Sequence, residues 1–345
     1  MRSRFGQFHQ SMSLLVLGAL LSLSPPSLLK AQPNTRDPSI NRFRAFQTSR
    51  VVLSAATGGQ VRDEVPIVVN TDLVTLNVSV VDRSGHLVTG LDKRAFSILD
   101  NKSPQEIVFF SDADAPVSVS IVFDLSESMS GEKIKLARAA LAHFIETSLN
   151  SDEYTLIVFS ESPQVLLDRT RDGKAMIDRL SAAVPHGTTA LYDACYLGVE
   201  RLTGGTYPKR VLLLISDGQD NNSHYNFDEV RSLLRESDVV FYSIGIADPI
   251  QLTGKAGARV RYALEGLAEI TGGKAFFPSN EAQMDEIFER IALELRRQYS
   301  IGYRPQNFAG DAKWHRIRVR VNPPNGTAHL SVRSRAGYYA PAGLR

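Results

Sequence analysis

Cysteine is almost absent from this chain of 345 residues, which contains only Cys195. A single cysteine cannot form a disulfide bond within the chain, so a core of apolar side chains must hold the fold together. Positive and negative charges are nearly balanced, since the chain has 39 basic and 37 acidic residues and a formal net charge of +2. Nucleic-acid binding usually requires a strongly basic surface. We therefore expect no nucleic-acid partner, and we interpret Cys195 as a buried, apolar residue of a helix.

The sequence also lacks the motifs of several common enzyme classes. It contains no G-x-x-x-x-G-K-[ST] phosphate loop, no G-x-S-x-G nucleophile turn and no H-E-x-x-H zinc motif. Their absence removes the sequence support for NTPase, serine-hydrolase and zinc-protease chemistry. We predict that the protein is not an enzyme.

Long apolar runs are missing except near the N-terminus. There, Arg2 and Arg4 precede the apolar run Met12–Leu23, and small residues suited to cleavage follow it. This pattern is typical of a secretory signal peptide, and the run is short for a membrane span. We predict a signal peptide over residues 1–31 and a secreted, periplasmic or cell-envelope protein. An uncleaved segment would instead hold the protein on the membrane. The polar stretch 32–65 is interpreted as a flexible leader.

Two segments with the alternating pattern of β-strands flank the centre of the chain. Apolar and polar residues alternate over Val74–Val80 in the segment 66–115, and over Arg316–Val321 in the segment 297–341. A period of two is typical of strands with one buried face. Neither segment has enough strands to close a core alone. We predict that the two segments pair into one β-sandwich with the central domain inserted between them; the alternative is two separate small modules.

The central segment, residues 116–296, alternates strands with amphipathic helices. Apolar runs rich in β-branched residues, such as Val117–Phe123 and Val211–Ile215, are separated by segments with helical periodicity. This order predicts an α/β fold with a doubly wound, mostly parallel sheet that carries helices on both faces.

Oxygen-bearing side chains directly follow the apolar run Val117–Phe123. Asp124 ends the run, and Ser126 and Ser128 come two and four residues later. A carboxylate with two hydroxyls suits a hard cation such as Mg²⁺ better than zinc, which prefers nitrogen and sulfur ligands. Loops from different strands meet at the carboxyl edge of an open α/β sheet. We expect the remaining ligands of such a cation at that edge.

Two further loops supply suitable ligands. Thr189 lies in the loop before the helix that starts at Leu191, and Asp217 follows the apolar run Val211–Ile215. The candidate metal ligands are therefore Asp124, Ser126, Ser128, Thr189 and Asp217, with Thr188 as the competing candidate for the threonine position.

Three sequence strings, in this order, resemble the metal-ion-dependent adhesion site (MIDAS) of the von Willebrand factor type A (VWA) domain family. They are DLSES at Asp124–Ser128, GTTALYDA at Gly187–Ala194 and SDGQDN at Ser216–Asn221; the family pattern is D-x-S-x-S, then Thr, then Asp. The family usually has a second glycine where this chain has Thr188. The β-rich flanks are similar to those of a bacterial exported subgroup of VWA proteins.

The resemblance implies a Rossmann-like fold and a bound Mg²⁺ ion, with Mn²⁺ or Ca²⁺ as alternatives. It implies metal contacts from Ser126, Ser128 and Thr189, and contacts from Asp124 and Asp217 that are direct or pass through water. The open coordination position would accept an acidic side chain of a protein ligand.

From this resemblance we predict an exported, metal-dependent protein-binding or adhesion module whose partner exposes an Asp or Glu. One alternative is a structural envelope component in which the metal only stabilises the loops. Another is a Mg²⁺-dependent phosphohydrolase. That chemistry needs a second carboxylate two residues after Asp124, where this chain has Ser126.

Overall fold

The computed structural model describes residues 73–246, 254–306, 312–322 and 329–340. The predicted signal peptide (1–31) and leader (32–65) lie outside the described residues. The described strands are β1 (Val74–Val81), β2 (Phe96–Asp100), β3 (Ser103–Gln105), β4 (Ile107–Ser111), β5 (Ser118–Asp124), β6 (Glu153–Phe159), β7 (Pro163–Thr170), β8 (Arg210–Ser216), β9 (Val239–Gly245), β10 (Ala275–Phe276), β11 (Tyr299–Tyr303), β12 (Trp314–Val321), β13 (Ser331–Arg333) and β14 (Gly337–Tyr339). The described helices are α1 (Glu132–Glu146), α2 (Gly173–Ala182), α3 (Leu191–Thr203), α4 (Phe227–Glu236), α5 (Lys255–Thr271) and α6 (Glu281–Arg297).

A six-stranded sheet in the order β10-β9-β8-β5-β6-β7 forms the centre of the fold. Strand β5 lies in the middle and pairs in parallel with both β6 and β8. Only the edge strand β7 runs antiparallel to its neighbour. Every residue of β5 is buried, as expected for a strand covered on both faces. The predicted α/β class with a doubly wound, mostly parallel sheet is confirmed.

Helices cover both faces of this sheet with separate apolar cores. On one face, α1, α2 and α6 pack against the sheet, and the rings of Phe144 and Phe288 lie 5.9 Å apart between α1 and α6. On the other face, α3, α4 and α5 pack through residues that include Cys195. Cys195 is fully buried on α3, as predicted.

The two β-rich flanks pair with each other. One four-stranded sheet has the order β13-β1-β11-β4 and the other has the order β14-β12-β2-β3. Strand β1 of the N-terminal flank pairs with β11 of the C-terminal flank, and β2 pairs with β12. Residues of both sheets, among them Leu76, Ile98 and Ile317, share one apolar core. The flanks therefore form a β-sandwich rather than two separate modules, while the domain boundaries at 115/116 and 296/297 remain predictions.

The part of the chain that the structure describes contains no helix long and apolar enough to cross a membrane.

Candidate metal centre

Strand β5 brings Asp124 to the carboxyl edge of the central sheet. Asp124 is its last residue and is fully buried. The next residue, Leu125, donates its backbone N–H to the carbonyl of Phe159 at 2.7 Å, which fixes the start of the loop against β6. A short 3-10 turn over Glu127–Met129 follows, and the fully buried Met129 side chain anchors it in the core. The loop after β5 is thus held at both ends.

The Asp124 carboxylate accepts two hydrogen bonds from within the chain. Its Oδ1 accepts from the Ser126 backbone N–H at 2.8 Å, and its Oδ2 accepts from the Ser216 hydroxyl at 2.5 Å. Burial nevertheless raises the pKa of Asp124 to about 6; these hydrogen bonds oppose the shift, and the nearby Asp217 adds to it. Burial thus disfavours the charged form of Asp124 by roughly 3 kcal/mol. A cation bound beside Asp124 would offset that penalty.

The two serine hydroxyls of the loop after β5 lie close to each other. The Oγ atoms of Ser126 and Ser128 are 3.1 Å apart. Ser126 is buried, whereas Ser128 is exposed. The loop therefore leads from a buried carboxylate to a hydroxyl that solvent or a partner can reach.

The second loop places Thr189 and Thr188 in different environments. Thr189 is buried and Thr188 is exposed. The Thr189 N–H donates to Asn221 Oδ1 at 2.8 Å, and its carbonyl accepts from the backbone N–H groups of Asn221 and Asn222 at 3.0 and 3.1 Å. Thr189 is thus fastened to the loop after β8.

Backbone hydrogen bonds also tie the second loop to the loop after β5. The N–H of Glu127 donates to the carbonyl of Gly187 at 3.2 Å, and the N–H of His186 donates to the carbonyl of Leu125 at 2.7 Å. The loop that carries Thr189 is therefore hydrogen-bonded to both of the other loops that carry candidate ligands.

Asp217 directly follows β8 and is also buried. Its Oδ1 accepts from the Gln219 N–H at 3.3 Å, whereas its Oδ2 is buried without a hydrogen-bond partner. Gly218 makes the turn after it, because its φ of +81° is unfavourable for other residues and a Cβ there would collide with Val260. A buried acceptor oxygen without a donor is costly unless something else neutralises it.

The chemistry of this donor set fits a hard divalent cation. Two buried carboxylates and several hydroxyls lie on loops that contact one another, and among the ion pairs of the described residues none involves Asp124 or Asp217. The described residues contain no group of three or more His, Cys, Asp or Glu side chains arranged to hold a metal ion. Hydroxyl and carboxylate oxygens suit Mg²⁺, which keeps several of its waters.

Three neighbouring residues support the candidate ligands, or the helix beside them, through contacts that the motifs alone do not specify. Ser216 donates to Asp124, and Asn221 accepts from the Thr189 backbone. Asp220 Oδ1 accepts from the N–H of Leu191 at 2.9 Å and from the Ser223 hydroxyl at 2.5 Å, so it caps the start of α3. The string SDGQDN contains all three, but their partners are set by tertiary contacts. Ser216 in particular carries no signal in the sequence beyond its place before Asp217.

Residues 118–290, about half of the chain, match the family model described as the von Willebrand factor type A domain. The chain is also 26% identical over 227 residues to inter-alpha-trypsin inhibitor heavy chain H4 from Homo sapiens. That alignment covers 59% of this chain and 23% of the human protein, so the match spans about a quarter of that relative's length.

Two solved bacterial structures match about half of this chain. BatB from Bacteroides thetaiotaomicron is 18% identical, with a TM-score of 0.43, over 52% of this chain and 98% of that chain. The vWF domain of Mfa5 from Porphyromonas gingivalis, described as a type V pili tip protein, is 15% identical, with a TM-score of 0.44, over 53% of this chain and 97% of that chain.

Proposed function

The chain belongs to the von Willebrand factor type A domain family, and from that premise we propose that it is an exported protein-binding module that holds its partner through Mg²⁺. Members of this family bind a divalent metal ion at the MIDAS and bind proteins through it. For this chain, we propose that Asp124, Ser126, Ser128, Thr189 and Asp217 are the metal-binding residues.

The observation that carries the proposal is the unpaired carboxylate oxygen of Asp217. Its Oδ2 is buried without a donor, close enough to Asp124 for the two charges to repel. Two buried carboxylates that repel each other destabilise a fold unless a cation binds between them or one of them takes up a proton. A divalent ion matches their combined charge. The hydroxyls of Ser126, Ser128 and Thr189 would supply neutral oxygens around it.

The chain's own residues prepare the site for an outside ligand. Ser216 and the Ser126 N–H hold the Asp124 carboxylate in one orientation, and Asn221 holds Thr189. The exposed Ser128 marks the side from which a partner can approach. When bound, Mg²⁺ would supply an open coordination position for a carboxylate of the partner. The partner we propose is a protein with an exposed Asp or Glu.

The proposed location outside the cytoplasm rests on the N-terminal sequence. Arg2 and Arg4 followed by the apolar run Met12–Leu23 support a signal peptide. The absence of any internal disulfide is compatible with export, because the described core is large and apolar.

Two measurements on the purified chain, Mg²⁺ binding and protein capture, test the proposal. Mg²⁺ binding is compared between the wild type, the variant Asp217→Asn and a matched control. Calorimetric titration with MgCl₂ should show one binding site in the wild type and none in Asp217→Asn. Asp178→Asn, which changes an exposed aspartate of α2, should bind Mg²⁺ as the wild type does. Capture of proteins from an envelope extract should require Mg²⁺ and disappear with EDTA.

The outcomes separate the proposal from its alternatives. Mg²⁺ binding together with Mg²⁺-dependent capture supports the proposal. Mg²⁺ binding with capture that is the same in EDTA favours a structural envelope component with a stabilising metal. A wild-type chain that does not bind Mg²⁺ would contradict the proposal.

A further inference from the structure

A cavity of about 380 Å³ lies at the opposite end of the central sheet from the candidate metal centre. On one side it is bounded by the outer face of the β13-β1-β11-β4 sheet, where Thr75 and Asn77 alternate with core residues of the sandwich. On the other side it is bounded by Lys209, just before β8, and by Val239, the first residue of β9. Cavities of this size at the junction of two layers are typical small-molecule sites.

Most of the cavity wall is apolar. Leu73, Phe109, Pro208 and Val239 line it, and Phe109 remains about half exposed on the edge strand β4. The Leu73 and Phe109 side chains both approach Gly302 of β11, which lacks a side chain between them. A ligand in this cavity would therefore cover apolar surface that the chain itself leaves uncovered.

Lys209 adds a buried positive charge to this apolar wall. Only 4% of the residue is exposed, and burial lowers its pKa. Its Nζ donates to the carbonyl of Leu295 at 3.0 Å, which uses one of the three donors of an ammonium group. Asp114 and Asp152, which raise the pKa of Lys209 from a distance, both form ion pairs with Arg296. No ion pair among the described residues involves Lys209 itself, so two of its ammonium donors have no partner in the chain.

A second cation at the cavity wall is also incompletely satisfied. Arg335 forms an ion pair with Asp238, and both residues line the cavity. Two further nitrogens of its guanidinium group, Nε and Nη2, are buried without a hydrogen-bond partner. The charged residues that line the cavity are Lys209, Arg335 and Asp238. The unused N–H donors of the two cations favour a ligand with an anionic acceptor group.

We propose that this cavity binds a small aliphatic carboxylate, with the carboxylate at Lys209 and the apolar chain against Leu73, Phe109 and Val239. The combination of an apolar wall with a few buried polar groups fixes both the chemical class and the orientation of the ligand. The site is separate from the metal centre and independent of the function proposed for it, because the two lie at opposite edges of the central sheet.

Calorimetric titration of the full chain with decanoate tests this proposal. We expect one saturable site in the wild type. Decanol, which has the same chain without the charge, should bind at least 10-fold more weakly. Lys209→Met should weaken decanoate binding by roughly 10- to 100-fold, because methionine is close to lysine in length but lacks the charged hydrogen-bond donor. The matched control Lys174→Met removes an exposed lysine of α2 and should bind decanoate as the wild type does.

A second variant keeps the test decisive if Lys209→Met fails to fold. Thr75→Trp places a large side chain into the cavity from the outer face of β1, outside the sandwich core. We expect it to abolish decanoate binding while Mg²⁺ binding remains unchanged. The absence of saturable binding to the wild type would overturn the proposal. Decanoate binding of wild-type affinity in a folded Lys209→Met or in Thr75→Trp would overturn it as well.

Discussion

Two buried groups of carboxylates in this protein, Glu294 alone and Asp124 with Asp217, differ in whether the chain itself balances their charge. Glu294 on α6 is fully buried, and its Oε1 accepts hydrogen bonds from the Ser79 and Tyr242 hydroxyls at 2.7 and 2.8 Å. Its Oε2 pairs with Arg333 of β13 at 2.5 Å. Asp124 and Asp217 are buried to a similar degree without a basic partner among the described residues. The first group joins the sandwich to the central domain, and the second leaves a charge for an outside cation.

This contrast distinguishes structural acids, whose carboxylates are paired within the chain, from carboxylates that are candidate metal ligands. Both carboxylate oxygens of Glu294 have partners within the chain, whereas Oδ2 of Asp217 has none. Four substitutions test this contrast.

The largest effect is expected from breaking the Glu294 ion pair. Arg333→Met leaves the Glu294 carboxylate buried and uncompensated, which should lower the free energy of unfolding by about 3–5 kcal/mol. Urea denaturation without added metal measures this change. The control Arg318→Met removes an exposed arginine of β12 and should change stability by less than about 0.5 kcal/mol. A loss as small as the control's would show that Glu294 does not depend on Arg333.

The opposite result is expected at the candidate metal centre. In the metal-free protein, Asp217→Asn should leave stability unchanged or raise it, because it removes one of two repelling charges. Mg²⁺ at about 100 times its Kd should stabilise the wild type by roughly 2.7 kcal/mol and should not stabilise Asp217→Asn. Thermal melts in EDTA and in MgCl₂ measure both effects. Destabilisation of the metal-free Asp217→Asn protein by several kcal/mol would place Asp217 with the structural acids.

A smaller effect is expected from the threonine of the second loop. Thr189→Val keeps the shape of the side chain but removes the hydroxyl, and it should weaken Mg²⁺ binding by roughly 10-fold. Thr188→Val should leave the affinity unchanged, because Thr188 is exposed and its neighbour carries the contacts to Asn221. Titration calorimetry compares the two variants, and the reverse order of affinities would assign the contact to Thr188.

The smallest effect is expected from Asn221, which positions Thr189 without being a candidate ligand. Asn221→Ala removes the hydrogen bond to the Thr189 N–H and should lower stability by about 1 kcal/mol. Mg²⁺ affinity should fall by less than 10-fold, since the ligand oxygens remain. A complete loss of Mg²⁺ binding in a folded Asn221→Ala protein would mean that Asn221 itself contacts the metal.

Much of this architecture could be predicted because the sequence signals are local. Strands β5 and β8 are fully or almost fully buried and rich in apolar residues, and Asp124 and Asp217 lie where their apolar runs stop. Alternation in β1 and β12 predicted a sandwich, because neither flank could bury its apolar face alone. Asn226 and Glu229, three residues apart, form a reciprocal capping box at the start of α4, which is again a local feature of the sequence.

The features that were missed depend on contacts between distant residues. Glu294 lies in a helix rich in charged residues and carries no local sign that it is buried against Ser79 of β1. The short strands β3 and β14 have only three residues each, too few for a periodic pattern. The cavity around Lys209 forms only when the sandwich meets the central domain, so no single stretch of sequence encodes it.

The most direct test of the central claim is a crystal structure of the chain grown with MnCl₂, with anomalous scattering used to locate manganese, which substitutes for Mg²⁺. We expect one strong anomalous peak at direct coordination distance from the hydroxyls of Ser126 and Ser128. Asp217 Oδ2 should reach that peak directly or through one water. A well-ordered structure with no peak between Asp124 and Asp217, or with Asp217 Oδ2 still unpartnered, would contradict the proposed metal centre.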